Sequence, residues 1–227
     1  MKTTDGEYVL DYLRAVLDRD GERAREVIER MLDLKLGMPE VFEVLASAQV
    51  EVGEMWAKGI VSVADEHFAT YTTLKCIDLV AERLDGRAAP RRGLALLCTV
   101  EGEYHLVGLK MFSELLRNQG WDTVLLGSNF SARALVERAE ALRDGRVDLL
   151  CISVTMPSCL PLVVETLRRI RAEPAYARTK IVVGGAALRS GRVRSLLSDG
   201  ATIKALADHV ASKYDSALSF TGSLEAD

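Results

Sequence analysis

The sequence predicts a four-helix bundle followed by a flavodoxin-like, doubly wound α/β domain with a parallel five-stranded sheet. Residues up to about 85 show only helical periodicity, whereas short apolar runs alternate with helical stretches from residue 93 onward. The stretch between them, residues 86–93, loses periodicity and is rich in glycine, proline and arginine, as linkers are. We therefore expect a bundle at 1–86, a linker at 87–92 and an α/β domain at 93–227.

The overall composition is that of an ordinary globular protein, with 48% hydrophobic and 27% charged residues among 227. The net charge of −4 argues against a general nucleic-acid binder. No apolar run approaches the length of a membrane span, and the N-terminus has no signal-peptide core. The four cysteines lack CxxC spacing. A cytoplasmic, reducing location without membrane contact is the expectation.

Each helix of the predicted bundle has its own sequence signals. The first two carry apolar stripes within 8–17 and 24–32. Pro39 suits the first turn of a third helix, and Ser62 is the expected N-cap of a fourth, because acidic residues follow it in the first turn. Four amphipathic helices with short connections indicate a bundle.

The second half alternates between strand and helix patterns. Five parallel strands favour the flavodoxin-like order, which places a ligand crevice above the carboxyl ends of the first and third strands. The apolar runs predict strands at 94–100, 122–126, 148–154 and 180–184, with a weak one near 201–204. The helical patterns between and after them lie at about 107–119, 131–144, 160–172, 190–198 and 205–219.

A loop at the carboxyl end of the first predicted strand contains Glu103-x-His105-x-x-Gly108. A neutral imidazole is the commonest metal ligand, and a nearby carboxylate can bind its other ring nitrogen, which fixes the tautomer and makes the ligand more basic. Gly108 leaves room for a bulky group to approach the backbone. Taken alone, however, the motif is better explained as a loop histidine paired with an acid, because short motifs produce false positives.

Two further features fall on the same edge of the predicted sheet. Ser153 and Thr155 end the third strand, and Gly184 and Gly185 end the fourth, where glycines leave a slot between sheet and helix. Each feature alone is equally typical of a helix cap or a turn. Together with the His105 loop, they indicate a metal complex whose long, flat appendage is threaded between the strands.

In order and spacing, these features resemble the signature of the cobalamin-binding domain over residues 93–217. The resemblance implies that His105 replaces the benzimidazole of the cofactor as the lower cobalt ligand, with Glu103 hydrogen-bonded behind it. It further implies that the displaced benzimidazole tail lies in a channel. The residues of this channel would be Gly108, Ser153, Thr155, Gly184 and Gly185.

The helical half contains Trp56-x9-Glu66-His67, which resembles a motif in the bundle of cobalamin-dependent photoreceptors. In that family the bundle caps the upper face of the corrin. The resemblance implies that Trp56 packs on the 5′-deoxyadenosyl group or its replacement and that Glu66 hydrogen-bonds a ribose hydroxyl. It places His67 near the upper face and Val63 against the adenine. The alternative is that Trp56 is a core residue of the bundle and His67 a polar neighbour.

Two departures from that family bear on function. Its best-known members carry a DNA-binding helix-turn-helix module before the bundle, whereas this sequence starts with the bundle, so direct DNA binding is not expected. Those members also have a histidine directly after the motif Trp, which becomes the upper cobalt ligand after illumination. Ala57 occupies that position here. Water, hydroxide or His67 are then the remaining candidates for the upper ligand.

The function expected from the resemblance is a stand-alone, non-enzymatic light sensor. It would bind cobalamin base-off and His-on, and signal by light-triggered loss or change of the upper ligand. Output would pass through homo-oligomerisation of the bundle or through an unknown protein partner. Adenosylcobalamin is the expected form, with hydroxo- or methylcobalamin as alternatives.

Two other functions stay open at this point. One is a photocobilin-type sensor that binds biliverdin as well as cobalamin. The other is a corrinoid methyl carrier of a methyltransferase system. Against the carrier, such proteins typically have Asp at the positions of Glu103 and Leu106 and lack the Trp-x9-Glu-His spacing.

Overall fold

The computed structural model describes residues 3–84, 90–140 and 147–189. The chain divides into two compact units, Met1–Gly86 and Arg87–Asp227. The first unit is helical and the second contains a parallel sheet, so the predicted fold class is confirmed. Among the described residues, no helix is both long enough and apolar enough to cross a membrane.

The described residues of the first unit form four helices whose buried stripes make a common core. They are α1 (Thr3–Leu17), α2 (Gly21–Asp33), α3 (Met38–Ala57) and α4 (Val63–Arg83). Helix α1 packs against each of the other three. Tyr12, Ile28, Phe42 and Ile77 are completely buried between the helices. Burial of such apolar side chains is the main force that assembles amphipathic helices.

Helix α4 begins at the N-cap that the sequence predicts. The Ser62 hydroxyl accepts a hydrogen bond from the Asp65 amide at 3.2 Å, and the Asp65 carboxylate accepts one from the Ser62 amide at 2.9 Å. The Arg19 guanidinium also binds Asp65, with Nη2 at 2.6 Å from Oδ1. The hydrogen bonds from Ser62 and Arg19 lower the pKa of Asp65 to about 2.

The second unit is an α/β domain with helices between parallel strands. Its elements are β1 (Gly93–Val100), α5 (Val107–Asn118), β2 (Trp121–Phe130), α6 (Ala132–Glu140), β3 (Leu149–Ser153), α7 (Leu160–Ala172) and β4 (Lys180–Gly184). The strand order is β2-β1-β3-β4 and every described pair is parallel. The two central strands, β1 and β3, are almost entirely buried, as strands covered on both faces must be.

The register of the central strands aligns the predicted site residues. Thr99 of β1 lies opposite Ser153 of β3, and Ser153 lies opposite Gly184 of β4. The carboxyl ends of these three strands therefore meet at one edge of the sheet, as the sequence predicts. The predicted fifth strand and the last two predicted helices fall within 190–227 and lie outside the described residues.

Strand β2 is the element that differs most from its prediction. It continues to Phe130, whereas the apolar run ends at 126, and its pairing with β1 is irregular near the carboxyl end. Leu97 and Cys98 pair with Leu125 and Gly127, so β2 has one extra residue at that point. A second extra residue precedes Phe130, which pairs with Val100. The sequence does not predict residues 127–130 as part of the strand, because polar residues there interrupt the apolar pattern.

Candidate functional site

His105 and Glu103 form a close pair in the loop between β1 and α5. The His105 Nδ1 atom lies 2.5 Å from Glu103 Oε1, and the His105 backbone amide donates to the same oxygen at 3.0 Å. The Glu103 side chain is completely buried, whereas the His105 side chain is 54% exposed. The sequence thus predicts the pairing correctly, and the structure adds that the acid lies inside and the imidazole outside.

The second carboxylate oxygen of Glu103 binds the loop that follows β3. Glu103 Oε2 accepts hydrogen bonds from the backbone amides of Thr155 and Met156, both at 2.8 Å. Sequence reasoning did not find these two donors, because a backbone amide leaves no signature in the residue pattern. They show that Thr155 reaches the site through its main chain.

These contacts keep Glu103 ionised. Burial by itself would raise its pKa, but hydrogen bonds from three backbone amides and from the His105 ring outweigh burial, so the pKa lies below the usual value. An ionised Glu103 can only accept hydrogen bonds, and Nδ1 of His105 must then carry its proton toward Oε1. In the neutral imidazole this leaves Nε2 with a free lone pair, as a metal ligand requires.

The glycines of the predicted channel differ in their surroundings. A methyl group added at Gly108, in the first turn of α5, or at Gly184 would meet no heavy atom within 4 Å. One added at Gly185 would lie 2.1 Å from the carbonyl oxygen of Val154, and the φ of Gly185 is +115°. Gly185 is therefore required by the packing of the chain itself, whereas Gly108 and Gly184 border open space.

The helical unit places the other predicted residues at the corner between α3 and α4. Trp56 is 49% exposed and Val63 is 52% exposed. The alternative that Trp56 is a core residue of the bundle is therefore wrong. Glu66 accepts a hydrogen bond from the Thr70 hydroxyl at 2.8 Å, and His67 Nε2 lies 3.6 Å from Glu66 Oε2.

Comparison with protein families identifies the domain. Models described as B12 binding domain match residues 93–202 and, separately, residues 10–80. The chain contains a B12-binding domain. The first match covers the unit with the His105–Glu103 pair and the second covers most of the helical unit, so a B12-binding domain with an N-terminal helical region accounts for both. The predicted cofactor class, a corrinoid, is supported by these matches.

Relatives of this B12-binding domain are corrinoid proteins named for methylamines. Dimethylamine corrinoid protein 1 of Methanosarcina acetivorans is 27% identical over 161 residues, 71% of this chain and 68% of that protein. Trimethylamine corrinoid protein 2 of the same organism is 22% identical over 180 residues, 78% of this chain and 82% of that protein. The solved structure of the Methanosarcina barkeri monomethylamine corrinoid protein shares the fold, with a TM-score of 0.71, 20% identity and coverage of 90% and 97%.

These relatives overturn the functional prediction. The expected stand-alone light sensor is wrong, because the relatives are named as corrinoid proteins of dimethylamine and trimethylamine. They favour the methyl-carrier alternative instead. They likewise give no support to a signalling role, to adenosylcobalamin as the form bound, or to biliverdin as a second cofactor. Ala57 departs from the photoreceptor family at the position of the upper ligand, in keeping with this correction.

Proposed function

We propose that this chain is a corrinoid-dependent methyl carrier that works with a separate methyltransferase protein. The corrinoid part of the proposal is carried by the buried Glu103, which holds His105 through Nδ1 and leaves the imidazole side chain 54% exposed. The methylamine corrinoid proteins among the relatives support the same class of function. Methylcobalamin is then the form of the cofactor in the methyl-loaded carrier. The chain is a carrier subunit rather than an enzyme by itself.

The residues of this chain fit the corrinoid. When bound, the cofactor supplies a cobalt centre that can take up and release a methyl group. His105 would ligate the cobalt through Nε2, while Glu103 holds the proton on Nδ1 and makes the imidazole more basic. Because Glu103 is anchored by two amides of another loop, the imidazole cannot rotate freely away from this position.

The remaining predicted residues are proposed to hold the rest of the corrinoid. Gly108 and Gly184 border open space that a flat tail can occupy, and Ser153 and Thr155 lie at the same edge with hydroxyl groups able to bind its polar atoms. Gly185 would contribute backbone only. In the helical unit, Trp56 and Val63 are proposed to bind cobalamin through their exposed apolar surface, and Glu66 and His67 through their polar groups.

Ligation is tested by electron paramagnetic resonance on protein labelled with 15N-histidine and loaded with cob(II)alamin. We expect a doublet splitting from one 15N nucleus in the wild-type chain and none in His105→Ala. A splitting that persists in His105→Ala would contradict the assignment of the ligand.

The carrier role is tested with isotope-labelled methyl groups. The loaded chain is reduced and incubated with extract of the source organism and labelled mono-, di- or trimethylamine. We expect label to accumulate on the bound corrinoid with one of these amines and to leave it when a thiol acceptor is added. Methylation by methyl iodide, but by none of the amines in the presence of extract, would show that the methyl donor is not a methylamine.

A further inference from the structure

Thr99, near the end of β1, is a buried hydroxyl beside the Glu103 loop. It is completely inaccessible to solvent, although the strand around it is apolar. Its Oγ1 donates to the carbonyl oxygen of Glu103 at 2.5 Å and accepts from the backbone amide of Asn129 at 2.9 Å. The single hydroxyl proton is therefore used on Glu103, and the hydroxyl joins the loop to the end of β2.

Asn129 holds the same loop from its other end. Its Oδ1 accepts a hydrogen bond from the Gly102 amide at 2.8 Å, and its backbone amide, which also donates to Thr99 Oγ1, donates to the Glu103 carbonyl at 3.0 Å. Asn129 has a φ of +61°, a left-handed conformation that asparagine tolerates better than most residues. It lies in the part of β2 where the extra residues occur, so the irregularity of the edge strand brings an amide group to the loop.

We infer that Thr99 and Asn129 are positioning residues for cobalt ligation by His105. The main chain of Glu103 is held by these two residues, and its carboxylate is held by the amides after β3. With both ends fixed, Glu103 Oε1 has one position, and the imidazole bound to it has one position as well. The inference rests on the proposed function, because it takes His105 as the ligand.

The size of the effect follows from the bonds that are lost. Removal of the Thr99 hydroxyl takes away its hydrogen bond to the Glu103 carbonyl and the one it accepts from the Asn129 backbone amide, whereas the bond from that amide to the Glu103 carbonyl remains. The loop then samples positions in which Nε2 is misplaced. We expect the affinity for cobinamide, a corrinoid without the benzimidazole tail, to fall roughly 3- to 10-fold. Cobinamide is the suitable probe because its binding reports on the lower ligand without the tail channel.

The first experiment compares Thr99→Val with Thr99→Ser. Valine keeps the shape and removes the hydroxyl, whereas serine keeps the hydroxyl. The matched control is Thr179→Val, because the Thr179 hydroxyl is also buried and donates to a backbone carbonyl, that of Val147, at 2.7 Å. Thr179 precedes β4 and Val147 precedes β3. This bond therefore lies at the amino ends of the strands, whereas the His105 loop lies at their carboxyl ends.

The readouts are the cobinamide affinity and the 15N-histidine splitting of the cob(II)alamin form. We expect Thr99→Val to bind more weakly and to show a smaller fraction of the His-ligated signal, with Thr99→Ser and Thr179→Val close to wild type. Equal behaviour of Thr99→Val and Thr179→Val would overturn the inference, as would a Thr99→Ser variant as impaired as Thr99→Val. An absence of 15N splitting in the wild type would instead refute the part of the proposed function on which the inference rests, the ligation of cobalt by His105.

A second variant keeps the test decisive if Thr99→Val fails to fold. Asn129→Gly removes the side-chain acceptor for the Gly102 amide, and glycine accepts the left-handed backbone without strain. Asn129 is exposed, so the core is untouched. We expect the same loss of cobinamide affinity and of His-ligated signal. Wild-type values for both measurements in Asn129→Gly would contradict the assigned role.

Discussion

Replacement of Glu103 by glutamine tests whether the two carboxylate oxygens of Glu103 hold His105 in place. Each carboxylate oxygen accepts two hydrogen bonds, Oε1 from the amide and ring of His105 and Oε2 from the amides of Thr155 and Met156. Glutamine has one acceptor oxygen and one NH2 donor. Whichever way the amide is oriented, its NH2 group therefore faces two N–H donors.

Both orientations of the glutamine amide weaken cobalt ligation by His105. With the amide oxygen toward the loop after β3, the NH2 group faces His105 Nδ1, which can accept only if the ring proton moves to Nε2. Nε2 is then protonated and cannot ligate. With the oxygen toward His105, the two amides of the other loop lose their acceptor and the loop is released.

The expected cost of Glu103→Gln is a roughly 10- to 100-fold loss of cobinamide affinity, as is typical when the partner of a metal-bound histidine is removed. Absorbance titration measures it, and the 15N-histidine splitting shows whether the remaining complex is ligated through His105. Glu101→Gln is the matched control, since Glu101 is an exposed acid in the same loop. Wild-type affinity for Glu103→Gln would refute the reasoning, and a loss as complete as that of His105→Ala would remove the distinction between ligand and partner.

Glu103 also makes the stability of the cofactor-free chain depend on pH. Its folded-state pKa lies below the ordinary 4.5, so its contribution to the free energy of unfolding is fully present above pH 4.5. That contribution is lost as the pH falls through the lower, folded-state pKa. We expect urea melts of Glu103→Gln to lack this part of the acid dependence, and an unchanged dependence would show that the carboxylate is not held as described.

Three further predictions concern the helical cap, the exposed tryptophan and the two glycines. Asp65→Asn should remove a contribution to the free energy of unfolding that is present above pH 3.8 and lost as the pH falls through the folded-state pKa of about 2. Thermal unfolding followed by circular dichroism at a series of pH values measures this contribution. Trp56→Ala should lower the free energy of unfolding of the cofactor-free chain by no more than about half of the roughly 3–5 kcal/mol expected for Phe42→Ala. The reason is that Trp56 is half exposed and Phe42 is buried. Equal losses for the two variants in urea melts would contradict this. Gly184→Ala should leave the melting temperature unchanged and lower the affinity for cobalamin more than the affinity for cobinamide. Gly185→Ala should lower the melting temperature. A loss of affinity in Gly184→Ala that is equal for both corrinoids would argue against the tail channel.

The fold was largely predictable because its signals are local and strong. Pro39 and Ser62 mark helix starts through their own chemistry, and the apolar runs of β1 and β3 are long because both faces of these strands are buried. The end of β2 was missed because its pairing is sustained by backbone hydrogen bonds and a left-handed Asn129. A polar, irregular edge strand has no periodic pattern to detect.

The site was predictable only where side chains carry it. The spacing of Glu103 and His105 predicts the pair, but not the other three donors around the carboxylate, since these are backbone amides. Thr99 offered a usable signal, a single polar residue within an apolar strand, because a buried hydroxyl requires a hydrogen-bond partner. The functional class could not be fixed from the chain, because a corrinoid bound through histidine serves more than one purpose.

The bonds from Glu103 to Thr155 and Met156 also limit how this site can be engineered. The two ends of the contact are 52 and 53 residues apart in sequence, so a short peptide copied from the His105 loop would lack half of the carboxylate's partners. Transfer of the site to another scaffold requires two neighbouring parallel strands with both of their following loops. Conversely, a one-residue insertion directly after Ser153 would shift the amides and disturb His105 without altering any residue of its own loop.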